Sequence, residues 1–424
     1  MAIFQYIEWG AFGILLLGAL LAIPAILRFI KGVGRSTKFP QTNERAKFAI
    51  LIPARDESKV VEANIKSVLQ SDYPKDKLEL YLIVESEEDE TVKIAAKYER
   101  THVFVRQHLD RVGKGYALEE CLTDIQARGE KYDAFLILDA DNVVTRDFLL
   151  RMNEAYQAGY DLACGKRDNK DWNASVVSAA SGLSFTAVNL LVNKPKTYLG
   201  KTVIVSGTGF FIRASRLEEL GGWPFHSLTE DYEITRYSSC YGWKTGYVED
   251  AVYYDEQPLK IGPSIVQRSR WVKGFFTVRG RYNKIRRKLK KEQRKNMNLK
   301  ERAKQEFLSG IIPFLMVCVD LILYMVCVVT FFILSLVFQN GEAYLFGIRL
   351  LLVFPAVYIL LTLLTVYLLF SERKTMKISN AMKVKVTFFH TFFLLTYAAC
   401  AVRAIFMPNT WERIDHTIYK EIDD

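Results

Sequence analysis

An α/β domain with a parallel sheet, set between membrane-spanning segments, is the fold this sequence predicts. Short apolar runs alternate with helix-like patterns from about residue 45 to 257, the signature of βαβ units. One run, Ala134 to Leu138, leads straight into Asp139 and Asp141, two carboxylates one residue apart. The apolar excess of the chain lies at its two ends, so that 424 residues are half hydrophobic and yet a quarter charged.

At this length there is room for two or three domains. Residues 7 to 30 are apolar and long enough to cross a bilayer. Nothing basic precedes them and no small-residue cleavage site follows, so they read as a retained anchor. Arg28, Lys31, Arg35 and Lys38 come next, which places the following domain in the cytoplasm by the positive-inside rule. A first domain, 1–44, is therefore the anchor.

The second, 45–260, carries the alternation. Phe48 to Ile52 is a strand ending in Pro53-Ala54-Arg55-Asp56-Glu57, and Val60 to Gln70 is helical. Leu80 to Val84 is a second strand with Glu85 at its end, followed by a helix over Thr91 to Tyr98 and a third strand, His102 to Val105. Gly113-Lys114-Gly115 opens a helix that leads to the Asp139/Asp141 strand. An uninterrupted apolar run fits a strand covered on both faces. Ligands of open α/β sheets sit beyond the carboxyl ends of such strands, where the two aspartates fall. Paired carboxylates there suit a hard divalent cation, Mg²⁺ or Mn²⁺, shared with substrate phosphates. Taken alone, Asp-x-Asp also arises in an ordinary surface turn.

Residues 261–306 form a basic, amphipathic region, and 307–424 the trailing spans and tail. Thirteen Lys or Arg lie between Arg279 and Lys304; beside a span, such a run suits the anionic inner leaflet rather than nucleic acid. Apolar segments follow at about 307–338, 344–370 and 386–407, with a basic loop, Arg373 to Lys385, before the last. Pro355 makes the middle one a candidate re-entrant segment, so the side of the membrane that receives the tail stays open. Trp411, Arg413 and His416 in that tail read as an interfacial anchor. The six cysteines show no metal-ligand or disulfide spacing and read as reduced fillers.

The chemistry is concentrated in two further motifs. Leu228-Thr229-Glu230-Asp231 supplies adjacent carboxylates, and Gln267-Arg268-Ser269-Arg270-Trp271 supplies a guanidinium beside an indole. Inverting sugar transfer needs a base for the acceptor hydroxyl and positive charge where the diphosphate departs. Asp231, with Glu230 next to it, is the candidate base. Arg270 matches phosphate oxygens in a bidentate manner, and Trp271 offers a face for a sugar ring. The plainer reading of Thr-Glu-Asp is a helix N-cap with an acidic first turn.

The order Asp-x-Asp, Thr-Glu-Asp, Gln-x-x-Arg-Trp, flanked by spans, resembles the processive family 2 glycosyltransferases, the synthases of cellulose, chitin, hyaluronan and poly-N-acetylglucosamine. Pro53 to Glu57, Ser206-Gly207-Thr208-Gly209 before Arg213, and Gly221-Gly222-Trp223 are also similar to that family. The resemblance covers about 48 to 275. It implies a GT-A type, Rossmann-like nucleotide-sugar domain inserted between an N-terminal transmembrane helix and a C-terminal bundle. It implies that Asp139 faces the nucleotide sugar and Asp141 ligates the metal. Asp231 would be the general base, and Gln267, Arg270 and Trp271 would hold the diphosphate and the acceptor. Ala54, Arg55, Glu57 and Lys114 would line the nucleotide pocket. The second strand departs from the family's Val-Asp-Asp, with Val84-Glu85-Ser86 in its place, so that Glu85 would take over contact with the base. The implied reaction is metal-dependent, inverting transfer from a UDP-sugar, glucose or N-acetylglucosamine, to a growing polysaccharide. The alternative is a glycolipid synthase adding one or a few sugars to a membrane lipid. The implied setting is the plasma membrane, with a homo-oligomer or partner subunit completing a glycan channel. A helix over Trp172 to Asn193 would rest near the membrane face.

Overall fold

The computed structural model describes Gly32, residues 34–294, Pro355 and residues 358–408. The predicted N-terminal anchor, the 307–338 segment and the Trp411–His416 anchor lie outside the described residues, as does the first part of the 344–370 segment. The chain divides into two units, one of residues 1–33 and 287–364, the other of residues 34–286 and 365–424. Everything below concerns the second unit unless stated.

Its centre is an eight-stranded sheet in the order β3-β2-β1-β4-β7-β6-β8-β5. The strands are β1 Phe48–Pro53, β2 Leu78–Val84, β3 Thr101–Val105, β4 Ala134–Ile137, β5 Val143–Val144, β6 Leu162–Asn169, β7 Phe210–Arg213 and β8 Thr245–Asp255. β1 to β4 pair in parallel as the alternation predicts. The expectation of a parallel sheet fails at β7, which runs antiparallel to both β4 and β6. A further reversed pair, β5 with β8, closes the edge. The result is a mixed sheet. The chain between β6 and β7 passes through α5 and two shorter helical stretches, and β7 enters the sheet reversed.

The helices are α1 Val61–Leu69, α2 Glu90–Ala95, α3 Lys114–Ala127, α4 Phe148–Gln157, α5 Val176–Ala187, α6 Lys194–Tyr198, α7 Ala214–Leu220, α8 Glu230–Tyr241 and α9 Ile261–Arg294. An apolar helix, α10 Tyr358–Ser371, precedes α11 Asn380–Leu395 and α12 Tyr397–Phe406. Alternate residues of β1 explain its unbroken apolar run. Phe48, Ile50 and Ile52 pack with Val61 and Ile65 of α1 and with Phe148 and Met152 of α4. Ala49 and Leu51 pack on the other face with Leu118, Cys121 and Ile125 of α3. Both faces are covered, which is why no position is polar.

A third apolar cluster joins α5 to the later chain: Trp172, Val177, Ala180 and Leu183 pack with Leu368, Ile378, Val386 and Phe393. The predicted helix over Trp172–Asn193 begins later, at Val176, because the Ser175 hydroxyl accepts the Ser178 N–H at 3.0 Å and caps it. It runs on as a π-helical stretch, Val188–Asn193. Among the described residues, two helical stretches could cross a membrane by length and composition, Val176–Tyr198 and Asn380–Phe406. The first is more than half buried within the protein.

Candidate active site

The carboxyl ends of β1, β2 and β4, together with the loop before β7, form one rim. β4 stops at Ile137, and Asp139 and Asp141 sit in the turn beyond it. That turn is tied on every side. The Asp139 N–H donates to the Thr208 hydroxyl at 2.8 Å, and Asn64 of α1 donates to the Asp139 carbonyl at 2.7 Å. The Glu256 N–H donates to Asp141 Oδ2 at 2.9 Å, and the buried Lys170 ammonium donates to the Asp141 carbonyl at 2.9 Å.

A third carboxylate joins the pair. Asp139, Asp141 and Asp255 each present an oxygen within 4.8 Å of the others. Asn142 Nδ2 bridges the last two, at 3.2 Å from Asp141 Oδ1 and 3.0 Å from Asp255 Oδ1. Asp255 also pairs with Arg167, whose Nε lies 2.9 Å from Oδ2. Burial drives the Asp255 carboxyl up to about 6; Arg167 opposes the rise and Asp141 adds to it. Three facing hard oxygens fit a divalent cation. Asp255 escaped sequence reasoning, although its signal was legible: Ala251 to Tyr254 is an apolar strand end running into a carboxylate, just as Ala134 to Leu138 does.

Opposite this cluster stands Lys114 at the start of α3, which pairs with Asp139 and donates to the Gly207 carbonyl at 2.8 Å. Any side chain at Gly207 would begin 3.7 Å from Asp231 Oδ2, so the Thr-Glu-Asp motif abuts the same loop. Close approach shapes that loop further at Gly209, where φ is +64° and an added Cβ would lie 2.1 Å from the Tyr253 ring. Glu230 and Asp231 open α8, as the plainer reading of the motif predicts, but Thr229 makes no side-chain cap. Burial pushes the Glu230 carboxyl up to about 7, reinforced by Asp231, while Lys114 and Arg270 pull it down. Asp231 is raised by burial too and is held back by the Tyr232 N–H, Lys114 and Arg270.

Arg270 lies on α9 with Nη1 3.3 Å from the Leu228 carbonyl, beside that acidic motif. Trp271 meets the Phe185 ring edge-on at 5.7 Å, and Phe185 in turn lies 3.7 Å beneath the Arg167 guanidinium. Gln267, one turn earlier, is half-buried. Lys114, Asp139, Asp141, Glu230, Asp231 and Arg270 thus converge. Ala54, Arg55, Glu57 and Glu85 form a second group around the ends of β1 and β2. Ala54 is buried and its N–H donates to the Ile83 carbonyl at 2.8 Å. Glu85 is divided between Arg55 and the buried Arg106, 3.4 Å from each. Between them Asp56 adopts a left-handed φ of +55°, its N–H donating to Asp89 at 2.9 Å, and the Glu57 N–H donates to the Thr91 hydroxyl at 3.2 Å.

A buried carboxylate base, two cations that face it and a triad of hard oxygens can together take a proton and neutralise a departing anion. The sequence pattern of the glycosyltransferase-like family 2 matches residues 45–274. The chain belongs to that family. Its fold is of the GT-A α/β type. The "Probable glycosyltransferase YdaM" of Bacillus subtilis is 26% identical over 246 residues, 54% of this chain and 56% of the relative. The beta-monoglucosyldiacylglycerol synthase of Trichormus variabilis is 24% identical over 283 residues, 64% of this chain and 57% of its own length. The cellulose synthase 1 catalytic subunit of Komagataeibacter xylinus is 21% identical over 243 residues, 54% of this chain and 31% of that one. The chain thus spans little more than half the length of the first two. In fold it is similar to the mannosyltransferase PcManGT of Pyrobaculum calidifontis, solved with GDP-Man and Mn²⁺: TM-score 0.56 and 16% identity, over 96% of this chain and 98% of that one.

Proposed function

We propose that the protein is a membrane-integrated, inverting β-glycosyltransferase that moves glucose or N-acetylglucosamine from a UDP-sugar to a growing polysaccharide. The observation that carries this is the convergence of Asp231, Lys114 and Asp139 on the loop before β7, with Arg270 beside the Asp231 motif at the Leu228 carbonyl. In this reading Asp231 accepts the acceptor hydroxyl proton, and Glu230 keeps its environment acidic. Arg270 and Lys114 face the diphosphate, whose charge grows as the glycosidic bond to it breaks. Asp139, Asp141 and Asp255 would hold Mg²⁺ or Mn²⁺, which when bound neutralises that leaving group. Ala54, Arg55, Glu57 and Glu85 border the uracil and ribose. Gln267 and Trp271 receive the acceptor end.

α9, which carries Gln267, Arg270 and Trp271, also packs against α11 and α12, the stretch long and apolar enough to span a bilayer. An acceptor leaving along the membrane side fits that placement, with the catalytic domain in the cytoplasm and the whole in the plasma membrane. The basic C-terminal part of α9 then lies on anionic lipid. A glycolipid synthase is the second reading, favoured by the glucosyldiacylglycerol synthases among the relatives.

The deciding experiment reconstitutes the protein in lipid nanodiscs with Mn²⁺ or Mg²⁺ and offers UDP-glucose, UDP-N-acetylglucosamine, UDP-galactose and UDP-glucuronate separately. UDP release from glucose or N-acetylglucosamine with high-mass product supports the first reading. A small, lipid-extractable product supports the second. Absence of UDP binding would overturn both.

A further inference from the structure

Arg268 is the largest fully buried side chain of the described residues, 1% exposed, and no carboxylate pairs with it there. A buried guanidinium without a counter-ion is costly, and such a group is held by whatever hydrogen bonds and ring faces its surroundings supply. Here they come from two places, the α11–α12 joint and Ser264 of α9 itself. Nη1 donates to the Phe393 carbonyl at 3.1 Å, and the guanidinium lies over the Phe393 ring at 4.0 Å and the Tyr397 ring at 4.8 Å. Nε stays within α9, on Ser264, at 3.2 Å from both its carbonyl and its hydroxyl. Nη2 is buried with no acceptor among the described residues.

The Phe393 carbonyl marks an interruption. α11 ends at Leu395 and α12 starts at Tyr397, with Thr396 between them donating both its N–H, at 3.2 Å, and its hydroxyl, at 2.6 Å, to that same carbonyl. Cys400 of α12 adds a 3.8 Å contact from its thiol to the Ile265 carbonyl of α9. The face of α9 that holds Ile265 and Arg268 is thus seated on the joint of the membrane-type segment.

The opposite face does something else. Two residues along an α-helix is a rotation of about 200°, so Arg270 points away from Arg268. It reaches the Leu228 carbonyl at 3.3 Å, and one turn on Gly274 lies against Thr229. A rotation of α9 about its axis would move both contacts together. We propose that Arg268 is a positioning residue: it fixes the rotation of α9 against the α11–α12 joint and thereby sets where Arg270 and Trp271 stand relative to Asp231. This rests on the reading of Arg270 and Trp271 as substrate contacts given above.

The test compares Arg268→Gln, Arg268→Lys and the double variant Phe393→Leu/Tyr397→Leu in nanodiscs. Transfer to acceptor, hydrolysis of the donor by water, UDP binding and amide hydrogen exchange are followed in each. Arg268→Gln should bind UDP within about twofold of the parent yet transfer at least tenfold more slowly, with hydrolysis spared. Arg268→Lys should recover part of the loss by donating to the Phe393 carbonyl. Removing both rings should mimic Arg268→Gln. Exchange should quicken in two places at once, residues 393–397 and residues 227–232 across the helix. Faster exchange at 393–397 alone, or unaltered transfer by Arg268→Gln, would overturn the proposal. The exchange result stands without turnover, so an inactive parent protein would count against the proposed reaction and leave this proposal decided.

Discussion

Lys114 and Asp139 close the site across the sheet: the ammonium at the first residue of α3 pairs with the carboxylate beyond β4 and, at 2.8 Å, holds the Gly207 carbonyl of the loop before β7. Its own proton is secure, because the attraction of Asp139 and Glu230 outweighs the burial that would strip it. Lys114→Met should raise the donor KM about tenfold, the ~1.4 kcal/mol of one charge-assisted contact. A KM within twofold of the parent would remove Lys114 from the donor site.

The same ammonium lowers the pKa values of Glu230 and Asp231, which burial raises. The base works deprotonated and burial raises the Asp231 carboxyl, so kcat/KM should show an acid limb above the ordinary aspartate range. Lys114→Met removes a positive charge and should shift that acid limb to higher pH. A limb that stays put or moves to lower pH would separate Lys114 from the pair.

Asp231→Asn keeps the shape of the motif and removes the proton acceptor. Turnover should fall by about 10² to 10⁴, the usual worth of a general base, with UDP affinity unchanged in a calorimetric titration. Unaltered turnover would remove Asp231 as the base and move that role to Glu230, which Glu230→Gln would then test.

Asp255→Asn tests the third oxygen. Mn²⁺ affinity should weaken ten- to hundredfold, roughly the scale of losing an element of a metal's surroundings. In the parent protein, Mn²⁺ binding should weaken as pH falls through about 6, because the Asp255 carboxyl raised there must lose its proton to ligate. Equal affinity in the variant would leave Asp255 as the counter-ion of Arg167 alone.

Gly274 admits no side chain, since a Cβ there would lie 2.3 Å from the Thr229 hydroxyl oxygen. Gly274→Ala should cost about 1–3 kcal/mol of stability through overpacking. Thr229→Ala should cost little by itself, because that buried hydroxyl has no partner among the described residues. Combining the two should restore the thermal midpoint, and a double variant no more stable than Gly274→Ala would assign the cost elsewhere.

Much of this was legible in residue order. The strands over Phe48, Leu80, His102 and Ala134 and the helix opening at Lys114 follow from periodicity, because each must bury one stripe or two faces. The convergence of Asp139, Asp231 and Arg270 was implied by the family resemblance and not by the spacing of the motifs. The reversal of β7 was not legible, since a run of three apolar residues before an arginine carries no strand direction. Asp255 carried a visible signal, but no local pattern says which strand end lies beside β4. Arg268 was hidden inside a motif whose other members have the obvious chemistry, and its burial against Phe393 depends on a contact across 125 positions.

The reversed strand has a consequence for how such a site can be remodelled. The proposed nucleotide rim, Ala54 to Glu57 with Glu85, comes wholly from the chain before Asp139, whereas Gly207, Asp231 and Arg270 come wholly from the chain after it. The antiparallel β7 is the seam, because it delivers its leading loop to the rim formed by the trailing ends of β1, β2 and β4. Exchanging the segment after β7 between related enzymes would therefore transplant acceptor preference while leaving donor preference behind.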